Sequence, residues 1–176
     1  MEPKMRVLIA DTDSNFRLLL REVMRTQSDM EIVAETADGV ETLELIQKFR
    51  PDVVLMELAL TRQDGMEVLR KIPETGCTPC TIVLSAFVTA NIVSECSALG
   101  ATCFIPKPCD IDSILNYIRL VMQPKGFAGI VPLTKPINFI RKLLQTLSVN
   151  WFIQSTESVF FFQQRPHCTS RYFMLY

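Results

Sequence analysis

Pro51-Asp52-Val53-Val54-Leu55-Met56-Glu57-Leu58-Ala59-Leu60-Thr61-Arg62-Gln63-Asp64-Gly65 is the stretch that decides the fold. An apolar run enters from Pro51-Asp52 and closes on the carboxylate of Glu57. A loop follows, and Asp64-Gly65 turns the chain toward a helix. Short continuous apolar runs with β-branched members are the pattern of a strand buried on both faces, as in a parallel sheet covered by helices. The same unit recurs on either side. Residues 5–10 predict a strand ending at Asp11-Thr12-Asp13-Ser14, followed by a helix with Phe16, Leu19, Leu20 and Val23 on one face and Asp13 or Ser14 as N-cap. Residues 31–36 predict a second strand, and Asp38-Gly39 turns into a helix carrying Val40, Leu43 and Ile46. Residues 52–57 are the third strand, and Gly65-Met66 opens a helix with Val68, Leu69 and Ile72. Residues 81–86 are the fourth, and a helix over 89–99 stops at Gly100, a residue suited to a left-handed cap. Residues 101–105 are the fifth, and Ile111, Ile114, Leu115 and Ile118 line the last helix.

Five strand–helix units without a break predict an α/β fold, a parallel sheet with helices on both faces, doubly wound by right-handed crossovers. Ligands of such sheets bind beyond the carboxyl ends of the strands. Asp11, Glu57, Ser85 and Lys107 each end or directly follow a strand, so the polar groups gather where a site is expected.

The chain of 176 residues has room for one ordinary domain and a tail. Its near-neutral charge hides an asymmetry. Residues 125–176 hold 6 Lys/Arg against the single acid Glu157, whereas residues 1–124 hold 12 Lys/Arg against 18 Asp/Glu. We therefore divide the chain into a domain over 1–123 and a basic, aromatic tail over 124–176 of poorly defined structure. Seven of the eleven Phe lie in that tail, beside an amphipathic patch of Phe139, Ile140, Leu143, Leu144 and Leu147, then Trp151, Phe152 and Phe160-Phe161-Phe162. Such a segment suits a nucleic-acid surface or a membrane-surface helix. The periodicity decays after Val149, however, and a segment that is not a designed domain fits better, such as a truncated or frame-shifted remnant. No targeting signal or membrane span is legible, so the expectation is a soluble, cytoplasmic protein with its six Cys reduced. Cys77-Thr78-Pro79-Cys80 lies in a loop entering a strand, without the helix start of a redox site or the second pair of a zinc site.

The order Asp11, Glu57, Asp64-Gly65, Ser85-Ala86, Lys107-Pro108, with Phe104 before the lysine, resembles response-regulator receiver domains over about residues 5–122. Ser85-Ala86-Phe87, Leu99-Gly100-Ala101, Phe104-Ile105, Lys107-Pro108 and Asp110 are similar to the sporulation branch of that family. The resemblance implies a flavodoxin-like sheet of order 2-1-3-4-5 and a non-enzymatic signalling role. Its partner would be a histidine kinase or phosphotransfer protein, with a receiver homodimer as a second mode of association. It also implies Glu57 at the phosphoacceptor position, Lys107 and Ser85 as phosphoryl contacts and Phe104 as the aromatic switch. Mg²⁺ would be held by Asp11, Glu57 and the carbonyl of Ala59, and the Lys107-Pro108 bond would be cis. In-line phosphoryl transfer needs such charge-neutralising groups around a placed carboxylate.

Four positions depart from that pattern. Glu57 stands where the family has Asp, one methylene longer, and misplacement of that order is costly for in-line transfer. Thr12 replaces the second acid of the pair, and Leu60-Thr61 replaces a Met-Pro step. Weakened Mg²⁺ binding and reduced or absent phosphorylation follow. Glu57 either imitates the phosphorylated state or pairs with Lys107 and freezes the switch. A pseudo-receiver that only binds partners shares these features. A haloacid-dehalogenase-type phosphatase would use Asp11 as nucleophile and Asp13 as general acid, but it lacks a downstream acid pair, because Asp110 and Asp112 read as helix N-terminal acids. No helix-turn-helix pattern follows residue 124, so DNA binding by this chain is not expected.

Overall fold

A computed structural model of the protein describes residues 3–122 and a two-residue strand at 160–161. The amphipathic patch and aromatic residues over 139–152, and the boundary at 123/124, lie outside the described residues. The elements alternate: β1 Met5–Ala10, α1 Ser14–Met24, β2 Met30–Thr36, α2 Gly39–Phe49, β3 Val53–Glu57, α3 Gly65–Lys71, β4 Cys80–Ser85, α4 Ala90–Ala98, β5 Cys103–Pro106, α5 Ile111–Met122 and β6 Phe160–Phe161. The first five strands form a parallel sheet of order 2-1-3-4-5, the flavodoxin-like arrangement the resemblance implied. β6 adds to β5 in the antiparallel sense, a sixth strand the sequence reading left within the tail.

Alternation along each strand sends side chains to opposite faces. Val7, Ile9, Val53, Leu55, Ile82 and Leu84 pack with Leu20 and Met24 of α1 and with Ile114 and Ile118 of α5. Leu8, Val54, Met56, Val83 and Phe104 pack on the other side with Ile46, Val68, Leu69, Val93 and Cys96 from α2, α3 and α4. Leu19, expected on the buried face of α1, is half exposed instead. The stripe is centred on Phe16, Leu20, Val23 and Met24, and at about 100° per residue Leu19 falls off its edge.

The helix starts follow the capping residues. Asp13, Asp38, Asp64 and Thr89 each accept a hydrogen bond from a backbone N–H of the first turn. Gly100 sits at φ 94 just beyond α4, the left-handed conformation that suits glycine. Neither CxxC thiol forms a disulfide among the described residues, and both are buried, Cys77 in the loop before β4 and Cys80 at its first residue. Burial pushes the Cys96 thiol up to about 12 and the Cys103 thiol well above its ordinary value, so neither is a reactive thiolate at neutral pH. No helix among the described residues is long and apolar enough to cross a membrane.

Candidate functional site

The carboxyl ends of β1, β3 and β4 and the loop after β5 bring Asp11, Glu57, Ser85 and Lys107 to one end of the sheet. Asp11 directly follows β1 and is buried; its Oδ1 accepts the Asp13 N–H at 2.9 Å. Glu57 is the last residue of β3, and its Oε1 accepts the Leu58 N–H at 2.7 Å and the Ala59 N–H at 3.4 Å. The ammonium of Lys107 bridges the two acids, with Nζ 2.6 Å from Asp11 Oδ2 and 2.8 Å from Glu57 Oε2. Its backbone N–H is anchored on Ser85 O at 2.9 Å, and the Lys107-Pro108 bond is cis. Burial works against the charged lysine, but the bonds to Asp11 and then Glu57 outweigh it, so its pKa stands above the ordinary lysine value.

Each oxygen of the two carboxylates is thereby engaged. Such an arrangement satisfies buried charge, as burial requires. Two acids around one ammonium leave one excess negative charge, which opposes an anionic phosphoryl group unless the site rearranges.

Ser85 is fully buried, and its Oγ accepts the Phe87 N–H at 3.2 Å. No hydrogen bond joins that Oγ to Glu57 or Lys107 among the described residues. Phe104 is fully buried against Met56, Val83, Val93 and Cys96. The aromatic side chain is therefore inward although Ser85 is not bonded to Glu57. A phenyl ring has no polar tip to keep near water, so burial is its resting place.

The donors do not fit a divalent cation in this arrangement. Mg²⁺ wants several hard oxygen ligands. Here the carboxylates of Asp11 and Glu57 converge on Lys107, and Thr12 is exposed and brings no charge. Among the described residues no group of three or more His, Cys, Asp or Glu could hold a metal. Asp13, the general acid of the phosphatase reading, is committed to capping α1, and Asp110 accepts the Ser113 N–H at the start of α5.

Three contributors escaped the sequence reading. The guanidinium of Arg17 donates to the carbonyl of Asp11, and the Phe16 ring lies 4.6 Å from Lys107 Nζ. The helical spacing of Phe16 predicts a core side chain, and only its place in the first turn of α1 hints at a second contact. The third is a latch between loops. Thr61 N–H donates to Ala37 O at 3.0 Å, Gly39 N–H donates to Thr61 O at 3.0 Å, and Arg62 pairs with Asp38. Proline, the family's residue at position 61, has no N–H for the first of these bonds. The Thr61 departure therefore has a structural use. On the other side of that loop, Gly65 N–H donates to Leu58 O at 2.8 Å. A Cβ at Gly65 would lie 2.7 Å from Glu57 O and 2.9 Å from Leu58 Cα, so the Asp64-Gly65 turn closes directly on the backbone of Glu57.

Comparison with known proteins gives a consistent result. The family described as "Response regulator receiver domain" matches residues 7–119. The chain is 31% identical over 141 residues to the transcriptional regulatory protein PdtaR of Mycobacterium tuberculosis, covering 80% of this chain and 67% of that protein. It is 35% identical over 113 residues to a protein-glutamate methylesterase/protein-glutamine glutaminase of Pyrococcus abyssi, covering 63% of this chain but only 30% of that protein. The chain thus spans less than a third of that methylesterase. Among solved structures, the response regulator domain of Thermotoga maritima CheB superposes with a TM-score of 0.64 at 27% identity, covering 70% of this chain and all of that one.

Proposed function

Since the chain belongs to the response regulator receiver domain family, we propose that it is a two-component signalling regulator whose receiver works without phosphoryl transfer. The observation that carries this reading is Glu57, whose two oxygens are taken by the Leu58 N–H and the Lys107 ammonium. The extra methylene lets the carboxylate reach the cation that would otherwise meet a phosphoryl group. Lys107 is then the counter-ion of the pocket, and Mg²⁺ binds weakly or only after Lys107 is displaced. The inward Phe104 supports a switch held in one setting. Its partner is a histidine kinase or phosphotransfer protein recognised by shape, and a receiver homodimer is the second mode of association. The unit responsible is residues 1–123, acting in the cytoplasm and without enzymatic activity of its own.

The sporulation-like residues Ser85-Ala86-Phe87 and Leu99-Gly100-Ala101 support an output in sporulation-type transcriptional control, and the PdtaR relative supports a regulatory output more broadly. Output would act through pairing or competition rather than promoter contact. The methylesterase relatives match through the receiver-sized portion alone, so their chemistry is not assigned to this chain.

The deciding experiment is labelling of the purified protein by acetyl phosphate with Mg²⁺. The parent and Glu57→Gln should both stay unlabelled. Glu57→Asp combined with Thr12→Asp should recover labelling, because the remaining groups are in place. Labelling of the parent that disappears in Glu57→Gln would overturn the reading. Failure of the double variant to label would move the chain to the pure interaction-module reading.

A further inference from the structure

The outer edge of β5 carries a contact that the site chemistry does not use. β5 ends the parallel sheet, so one edge pairs with β4 and the other would present unpaired backbone N–H and C=O groups. That outer edge is paired with β6, Cys103 opposite Phe161 and Phe104 opposite Phe160. Residues 123–159 lie between α5 and β6. At about 3.3 Å per residue that length spans the sheet several times over, so the return to the same molecule's edge needs no second copy.

The strand so covered is the one that carries the switch. Phe104 fills the core on the α2–α4 side, and Lys107, one residue beyond β5, holds Asp11 and Glu57. Movement of β5 alters the outer ladder and the inner ion pairs together, and such linkage is reciprocal. A ladder of two residue pairs is a weak, locally opening unit. Weakness is what a displaceable occupant requires. An uncovered edge is also the ordinary template for strand addition by another chain.

We propose that the outer edge of β5 is a strand-addition site, closed in the isolated chain by its own Phe160–Phe161 segment acting as an intramolecular plug. The plug hinders edge-to-edge association of two copies and ties the tail to the strand that carries Phe104 and leads into Lys107. It stands independently of whether Glu57 accepts a phosphoryl group.

Hydrogen exchange on the full chain tests it, comparing the parent with a Phe160→Pro/Phe161→Pro variant, which cannot donate to β5. The expected result is about 10-fold faster exchange in the peptide covering Cys103–Lys107, with the β3 peptide Val53–Glu57 unchanged. Protection of β5 in the parent should not vary on dilution over about two decades. Equal exchange in parent and variant would overturn the proposal. Protection lost on dilution would also overturn it, since the segment would then come from a second copy. If the double substitution loosens β3 as well, the single Phe161→Pro variant, which removes one N–H, is read by the same criteria.

Discussion

Lys107 is where the electrostatics of the site concentrate, because one ammonium compensates two buried carboxylates. Removing the cation alone leaves like charges facing each other out of water. Lys107→Met should therefore cost about 3 kcal/mol of unfolding free energy, measured by urea denaturation at neutral pH. The pH dependence has a definite sign. The pKa of Lys107 is raised in the fold, so its contribution is fully present below the ordinary lysine value and is lost as pH rises through the folded value. A deficit that stays constant as pH rises beyond about pH 10 would show that the bridge carries little energy. Returning the cluster to the parent's net charge with Lys107→Met/Glu57→Gln should recover part of the loss. The meeting of Asp11, Glu57 and Lys107 was legible in the sequence, because buried parallel strands announce their ends and each residue stands at one. The pairing of individual oxygens was not. It depends on a single methylene of reach and on backbone N–H directions that no residue pattern encodes.

At the scale of elements, the loop after β3 is held from both sides. Gly65 approaches the Glu57 backbone so closely that Gly65→Ala must displace main chain rather than a flexible side chain. We expect a loss of about 1–3 kcal/mol, with the Leu58 amide signal shifting in an NMR spectrum. An unshifted spectrum with unchanged stability would contradict the close packing. On the opposite side, the Arg62 guanidinium holds the Asp38 carboxyl down at about 2, against an ordinary 3.8. Asp38 is thus depressed, and the stability it lends is present above the ordinary value and lost as pH falls through about 2. Arg62→Gln should return its titration toward the ordinary value, and the stability difference between parent and variant should vanish across that acid window. The strands and capped helices were readable from apolar runs and from Asp13, Asp38 and Asp64, since capping is local chemistry. The latch was not, because Thr61 and Ala37 are brought together only by the fold, and neither residue type advertises it. Leu19 was misplaced for a related reason: a helix stripe is set by its neighbours in space, and Met24 rather than Leu19 completes it. β6 was missed because a two-residue strand has no period of its own to read.

For the whole molecule the decisive fact is that both cores are built on the same five strands. The α1–α5 side and the α2–α4 side alternate along each strand, so Val7 and Leu8, or Ile82 and Val83, belong to different clusters while sharing one backbone. Neither side can melt without breaking ladders that the other side rests on. Leu20 and Phe104 probe the two sides separately, and each is fully buried. Leu20→Ala should cost about 2–5 kcal/mol and Phe104→Ala about 3–5 kcal/mol, through lost transfer energy and the cavity left behind. The physical claim lies in the shape of the transition. Both variants should unfold in one step, with lowered midpoints and an unchanged urea slope, and near-UV and far-UV circular dichroism should give coincident curves. Separate transitions in the two probes would mean that the faces are independent units. A switch carried by Phe104 could then act on α4 without straining the ion pairs at Lys107. Coincidence would mean that any signal entering at the carboxyl ends of the strands is felt by the sheet as a whole, including the edge that β6 covers.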